Sequence, residues 1–195
     1  MTKSRIALGK FFIRLGKFIE FLAVVVMKPE DLVEFSKQSY VTADALAGWN
    51  QPTIVDRGLD VGERELFERI PLKSGRMFVL FAGTGREAIV FAKKGFEIVG
   101  ADFISEMLEM AKANARRHGV SVEGLVQDIS ELDVPQESFD LAWVSNLMYS
   151  SIPTKRNRIN VLKRIQKALK SEGYLVCQFL VQKASGIFLR LKEIA

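Results

Sequence analysis

Met77-Phe78-Val79-Leu80, followed without a break by Phe81-Ala82-Gly83-Thr84-Gly85-Arg86, is the stretch that decides the fold. A short, wholly apolar run is what a strand buried on both faces looks like, and this one feeds a glycine-rich turn and then a helical pattern over residues 86–94. Glycines there let the backbone turn sharply and pass close to a neighbour or a ligand, so the turn alone suits packing and binding equally. Outward from it the alternation repeats, with strands expected over 77–82, 97–101, 120–126, 139–145 and 174–181 and helices over 86–94, 105–118 and 154–169. Apolar strands alternating with amphipathic helices predict an α/β fold with a mainly parallel sheet covered on both faces.

Chemistry-bearing residues fall at the ends of these strands. Val99-Gly100-Ala101-Asp102 closes the second strand about 20 residues beyond the glycines, where an acid can accept hydrogen bonds from both hydroxyls of a ribose. The same carboxylate could instead cap the helix that starts at Ser105. Gln127-Asp128-Ile129 ends the third strand and offers a carboxylate to an adenine amine beside an apolar side chain. All three turns meet at the carboxyl edge of the sheet, where open α/β sheets bind ligands.

The order and spacing of Phe81-Ala82-Gly83-Thr84-Gly85-Arg86, Gly100-Ala101-Asp102-Phe103-Ile104-Ser105-Glu106-Met107, Gln127-Asp128-Ile129, Ser138-Phe139-Asp140-Leu141 and Leu169-Lys170-Ser171-Glu172-Gly173-Tyr174 resemble the core of class I S-adenosylmethionine-dependent methyltransferases. The resemblance covers about half of the chain, residues 77–181. It implies a Rossmann-like three-layer sandwich of about five strands in the order 3-2-1-4-5, with S-adenosylmethionine as cofactor. It also implies that Ala82, Gly83 and Gly85 pass the methionine moiety, with Phe81 in the cofactor set, that Asp102 holds the ribose, and that Phe103 and Ile129 sandwich adenine. Asp128 would contact the adenine amine, Met107 would belong to the same cofactor set, and Ser145 would line the methyl-transfer site. The family commonly has an acid and an extra glycine where this chain has Val79 and Phe81. Its sheet also commonly ends in a sixth and seventh strand forming a hairpin; only residues 182–195 follow the fifth strand here, and they read as a short helix. The open sheet edge that results calls for cover by a partner, the N-terminal helices or the tail, or else for the chain to be a fragment of a longer one.

The remaining sequence reads as a helical extension or lid over residues 1–72, ahead of the core at 73–195. At about 100° per residue Leu8, Phe12, Leu15, Ile19, Leu22 and Val26 share one side of a helix and Lys3, Lys10, Arg14 and Lys17 another. Such a helix suits docking on its own domain, on a partner or on an anionic membrane. Glu20 within the apolar run, and Lys28-Pro29-Glu30-Asp31 opening a new helix over 29–38, argue against a signal peptide and for a cytoplasmic protein. A further helix is expected over 63–70, after a loop.

The formal charge of +5 sits in two clusters, this helix and residues 155–170, so it names no nucleic-acid partner. Ile159, Leu162, Ile165 and Leu169 give the second cluster an apolar face, as expected of an outer helix. One histidine (His118, before a capping Gly119) and one cysteine (Cys177) point to no zinc site and no disulfide framework. Asn146-Leu147-Met148-Tyr149 lacks the prolines of the Asn-Pro-Pro-Tyr loop, and Tyr149 and Tyr40 are candidates to line an acceptor pocket. The function expected is methyl transfer to a small-molecule acceptor by in-line displacement, with no obligatory catalytic side chain. The alternatives are an inactive methyltransferase-like scaffold and, third, an NAD-dependent oxidoreductase.

Overall fold

The structure, a computed structural model, describes residues 2–145 and 148–179. Two of the expectations above, the Asn146-Leu147 part of the loop after the fourth strand and the short C-terminal helix, lie outside the described residues. The chain forms two compact units, Met1–Ala47 and Gly48–Ala195.

The first unit holds helix α1 (Thr2–Val26), helix α2 (Pro29–Tyr40) and most of α3 (Ala43–Trp49). Pro29 opens α2, where its missing N–H costs nothing, and the Lys28 N–H donates to Asp31 Oδ2 at 2.9 Å to close the first turn.

The second unit continues with α4 (Pro52–Val55) and α5 (Val61–Glu68), which replace most of the expected loop and move the expected helix two residues earlier. Asp60 sets that start: its N–H donates to Glu63 Oε2 at 2.8 Å, the reciprocal bond of an N-terminal cap. Val55, Leu59 and Ile70 are buried in the same core as the first strand. The unit that carries the sheet therefore begins at Gly48.

The strands are β1 (Gly75–Leu80), β2 (Phe96–Asp102), β3 (Glu123–Val126), β4 (Phe139–Val144) and β5 (Leu169–Cys177). They pair in parallel in the order β3-β2-β1-β4-β5, as expected. Helices α6 (Arg86–Lys93), α7 (Ser105–Arg117) and α8 (Lys155–Ala168) make the crossovers. The largest departures from the expected strand bounds are in β3 and β5, while β1 is shifted two residues earlier. β3 is only four residues long, and β5 starts five residues early because α8 passes into it with no loop.

Period-two alternation splits the core between the two faces of the sheet. Met77, Val79, Ile98, Leu141 and Trp143 face α4 to α7, whereas Phe78, Leu80, Val99, Ala142 and Val144 face α8. Phe78 stacks on Phe139 with ring centroids 4.7 Å apart. The inward face of α8 is Val161, Ile165 and Ala168; Ile159, expected there, is exposed, and Arg158 and Arg164 donate to the Ile152 and Leu132 carbonyls. Among the described residues β5 is an outer strand, with Tyr174 and Leu175 partly exposed.

Candidate ligand-binding site at the carboxyl edge of the sheet

Backbone hydrogen bonds fix the strand ends as one surface. Ala82 N–H donates to Ala101 O at 3.0 Å, Gln127 N–H to Asp102 O at 3.0 Å, and Ser145 N–H to Leu80 O at 3.1 Å. The turns after β1, β2, β3 and β4 are thus held side by side, with Ala82, Gly83, Asp102, Gln127 and Ser145 at their tips.

The glycine turn needs left-handed backbone at three places: Phe81 (φ 56°), Gly83 (φ 52°) and Gly85 (φ 93°). At Gly85 a side chain is excluded on two counts, since an added Cβ would also stand 3.1 Å from Ala111 Cβ of α7. Gly83 differs: nothing lies within 4 Å of the position its Cβ would take, so the turn there faces open space. Phe81 holds the same backbone region with a bulky side chain, which costs about 1–2 kcal/mol, and its ring is partly buried against the α8 side of the core.

Asp102 stands at the centre. It is buried, its Oδ2 accepts from Gly83 N–H at 2.9 Å and its Oδ1 from Ile104 N–H at 3.1 Å. Burial raises its pKa above the usual aspartate value, and the N–H donors of Gly83, Ile104 and Phe103 pull it back only in part. The Asp102 carboxylate does not cap α7, whose N-cap is Ile104 with no side-chain hydrogen bond. It ties the glycine turn to the start of α7, and with four lone-pair directions it keeps acceptor capacity for further hydroxyls.

Beneath the glycine turn, at the first turn of α6, lies an ionic cluster that sequence reading did not foresee. Arg86 grips Glu63 of α5 with two bonds of 2.7 Å, and bonds Glu87 Oε1 and the Gly58 carbonyl at 2.7 Å each. All three charged side chains are under 9% exposed. Burial acts to raise Glu63, but the Arg86 bonds and the Asp60 N–H outweigh it and hold that carboxyl below its usual value. At Glu87 burial prevails and the pKa is raised. Ser145 Oγ, fully buried, has no hydrogen-bond partner at ordinary distance, yet lies close enough to help lower the Glu87 carboxyl.

The remaining expected positions are spread over this surface. Asp128 is exposed and its Oδ1 caps a 3-10 turn over Ile129–Glu131, accepting from Ser130 N–H at 2.8 Å and Ser130 Oγ at 2.7 Å. Ile129 and Met107 are almost wholly buried below the turns, whereas Phe103 is partly exposed. Tyr149 packs against the α8 side of the core and edge-on to Phe179, centroids 6.4 Å apart. Tyr40 belongs to the first unit. His118 is itself the C-cap residue of α7, with left-handed Gly119 just after it, and its ring is also wired to Asp56 at 2.8 Å and Lys93 at 3.0 Å, far in sequence.

Sequence reading missed Trp49 and Asn50 as neighbours of the glycine turn. Thr84 Oγ1 donates to the Trp49 carbonyl at 3.0 Å, and Asn114 Nδ2 donates to both Asn50 Oδ1 (2.8 Å) and the Thr84 carbonyl (3.0 Å). The only local signal was the turn composition of Asn50-Gln51-Pro52, which says nothing of partners 35 and 64 residues away.

Residues 80–173 match a family model described as a methyltransferase domain. A Bacillus subtilis (strain 168) protein that bears a provisional methyltransferase name, YqeM, is 32% identical over 104 residues, covering 53% of this chain and 42% of that protein. The match thus spans about two fifths of the length of the curated relatives. Among solved structures, an S-adenosylmethionine-dependent methyltransferase of Methanosarcina mazei superposes with a TM-score of 0.53 at 24% identity, covering 60% of this chain and 56% of that one. Phosphoethanolamine N-methyltransferase 1 of Haemonchus contortus, solved with phosphoethanolamine and S-adenosylhomocysteine, gives a TM-score of 0.52 at 20% identity over 71% of this chain and 33% of that one. Such identities establish likeness of fold, and the fold, the family match and the order of the strand-end motifs agree. Residues 80–173 of the chain thus match a methyltransferase domain, on the fold that S-adenosylmethionine-dependent methyltransferases share.

Proposed function

We propose that this chain binds S-adenosylmethionine at the carboxyl edge of its sheet and transfers the methyl group to a small, apolar acceptor by in-line displacement. The observation that carries the reading is the pairing of Asp102 with Gly83: a buried carboxylate with acceptor capacity left over, bonded to a turn that faces open space. The residues present fit a nucleoside with a charged tail. Asp102 would take the ribose hydroxyls, backbone from Ala82 to Gly85 would border the tail, and Phe103 and Asp128 would flank the base, with Ile129 as its apolar floor. Ser145 stands at the end of β4, beside the transfer position.

Once bound, the cofactor supplies a sulfonium-activated methyl, so the chemistry needs alignment and exclusion of water rather than an obligatory catalytic side chain. This chain's part is orientation. Asp102 fixes the turn after β1 relative to that after β2, and the Arg86 cluster holds the first turn of α6 from below. The segment at Trp49 and Asn50, bonded to Thr84 and Asn114, borders the same turn. We place this activity in the cytoplasm, where the half-buried Cys177 thiol stays reduced.

A second reading, a methyltransferase-like scaffold without activity, is favoured by Phe81, whose side chain stands on left-handed backbone in the glycine turn. Isothermal calorimetry of the full chain with S-adenosylmethionine, S-adenosylhomocysteine and NAD separates the readings. Micromolar binding of the first two and none of NAD is expected. Absence of all binding would overturn the cofactor assignment, and binding without transfer across a broad acceptor panel would favour the scaffold.

A further inference from the structure

The first unit carries a surface that the methyl-transfer site does not use. Helix α1 runs 25 residues, about 37 Å at 1.5 Å per residue. Along it Phe11, Phe12, Leu15, Phe18, Ile19 and Leu22 are each at least 36% exposed. At about 100° per residue these six fall within one stripe about 120° wide. Lys10, Arg14 and Lys17, all exposed, stand together on another side of the helix, and Arg5 is exposed at the border of the stripe. From Thr2 to Val26 the single acid is Glu20.

We infer that α1 is a docking helix for an anionic membrane surface, lying in the plane of the headgroups. Three features select this occupant. A continuous aromatic and aliphatic stripe along about three turns needs an apolar medium on one side, which an acyl boundary supplies without any complementary shape. The basic side matches negative lipid headgroups, which draw each Lys or Arg near the surface. No helix among the described residues is long and apolar enough to cross a membrane, so α1 lies on the surface and does not span it. The aromatic-rich stripe also explains why two glycines, Gly9 and Gly16, are tolerated in a helix: they lie between the stripe and the basic side, away from both, and an added Cβ at either meets nothing within 4 Å. This inference is independent of the methyl-donor reading.

The test is flotation of the full chain with vesicles of phosphatidylcholine alone and of phosphatidylcholine with phosphatidylglycerol. Binding to the anionic vesicles, with far weaker binding to the neutral ones, is expected. It should weaken in about 1 M salt, where the Debye length falls to about 3 Å. Substituting Lys10→Gln, Arg14→Gln and Lys17→Gln together should weaken partitioning about fivefold per charge, roughly 100-fold in all. Phe12→Ser with Ile19→Ser should abolish it. Both variants change exposed side chains and should leave the melting transition in place. Equal binding to both vesicle types, or binding indifferent to the three charge substitutions, would overturn the inference. So would failure to bind vesicles accompanied by self-association in sedimentation velocity that Phe12→Ser with Ile19→Ser removes, which would make α1 an interface between copies.

Discussion

Replacing Arg86 by methionine should destabilise the second unit by several kcal/mol. Its guanidinium makes four contacts of 2.7 Å, two to Glu63, one to Glu87 and one to the Gly58 carbonyl, and none of the three charged side chains is more than 8% exposed. Methionine fills similar space but leaves two buried carboxyls and a carbonyl without their donor. Removing one partner of a buried ion pair typically costs about 3–5 kcal/mol, because the remaining charge is stranded. For a chain of this size that corresponds to a fall in melting temperature of roughly 6–20 °C.

The loss must also depend on pH. With Arg86 in place Glu63 is held below its usual value, and that stabilisation is present above the unfolded pKa and fades as pH falls. Without Arg86 burial raises both carboxyls, so the variant recovers stability as pH falls into the window between the unfolded and the raised folded values. Urea unfolding followed by circular dichroism at pH 8 and near pH 5.5 reads both quantities. The deficit should be widest at the higher pH, and Glu63→Leu added to Arg86→Met should restore part of it. A loss below about 1 kcal/mol, or one independent of pH, would refute the buried-cluster account.

The site makes further predictions. Asp102→Ala removes the ribose acceptor and should weaken S-adenosylhomocysteine binding at least tenfold by calorimetry, each charge-assisted bond being worth about 1.5–3 kcal/mol; unchanged affinity would refute the placement of the ribose. In the unaltered chain affinity should fall as pH drops through the raised Asp102 value, earlier than for an ordinary aspartate, since the charged form accepts the hydroxyls. Val79→Asp, which restores the family's acid, would bury a carboxyl in the core beside Leu141 and Trp143 and should cost several kcal/mol in urea unfolding, unlike a neutral Val79→Ile. Trp143 is fully buried and Trp49 is half exposed beside the glycine turn, so cofactor addition should change the emission of Trp49 alone, and Trp49→Phe should abolish the response.

The sheet was legible from sequence because its information is local. An unbroken apolar run such as Met77 to Leu80, a positive-φ turn and an amphipathic helix each declare themselves within a dozen residues, and a right-handed crossover leaves few ways to assemble them. The same holds for Gly83, Gly85 and Asp102, which sit at strand ends by necessity. What the sequence did not disclose depends on pairs distant along the chain. Glu63 and Arg86 are ordinary surface residue types until α5 packs under the glycine turn, and Thr84 reveals its partner only once Trp49 lies over it. That Val161 rather than Ile159 is on the buried face of α8, and that Val55 and Leu59 join the core of the sheet, is visible only in three dimensions. Periodicity reports which residues need burial; only tertiary structure decides against what, because the energy of a buried polar group is set by the partner that meets it.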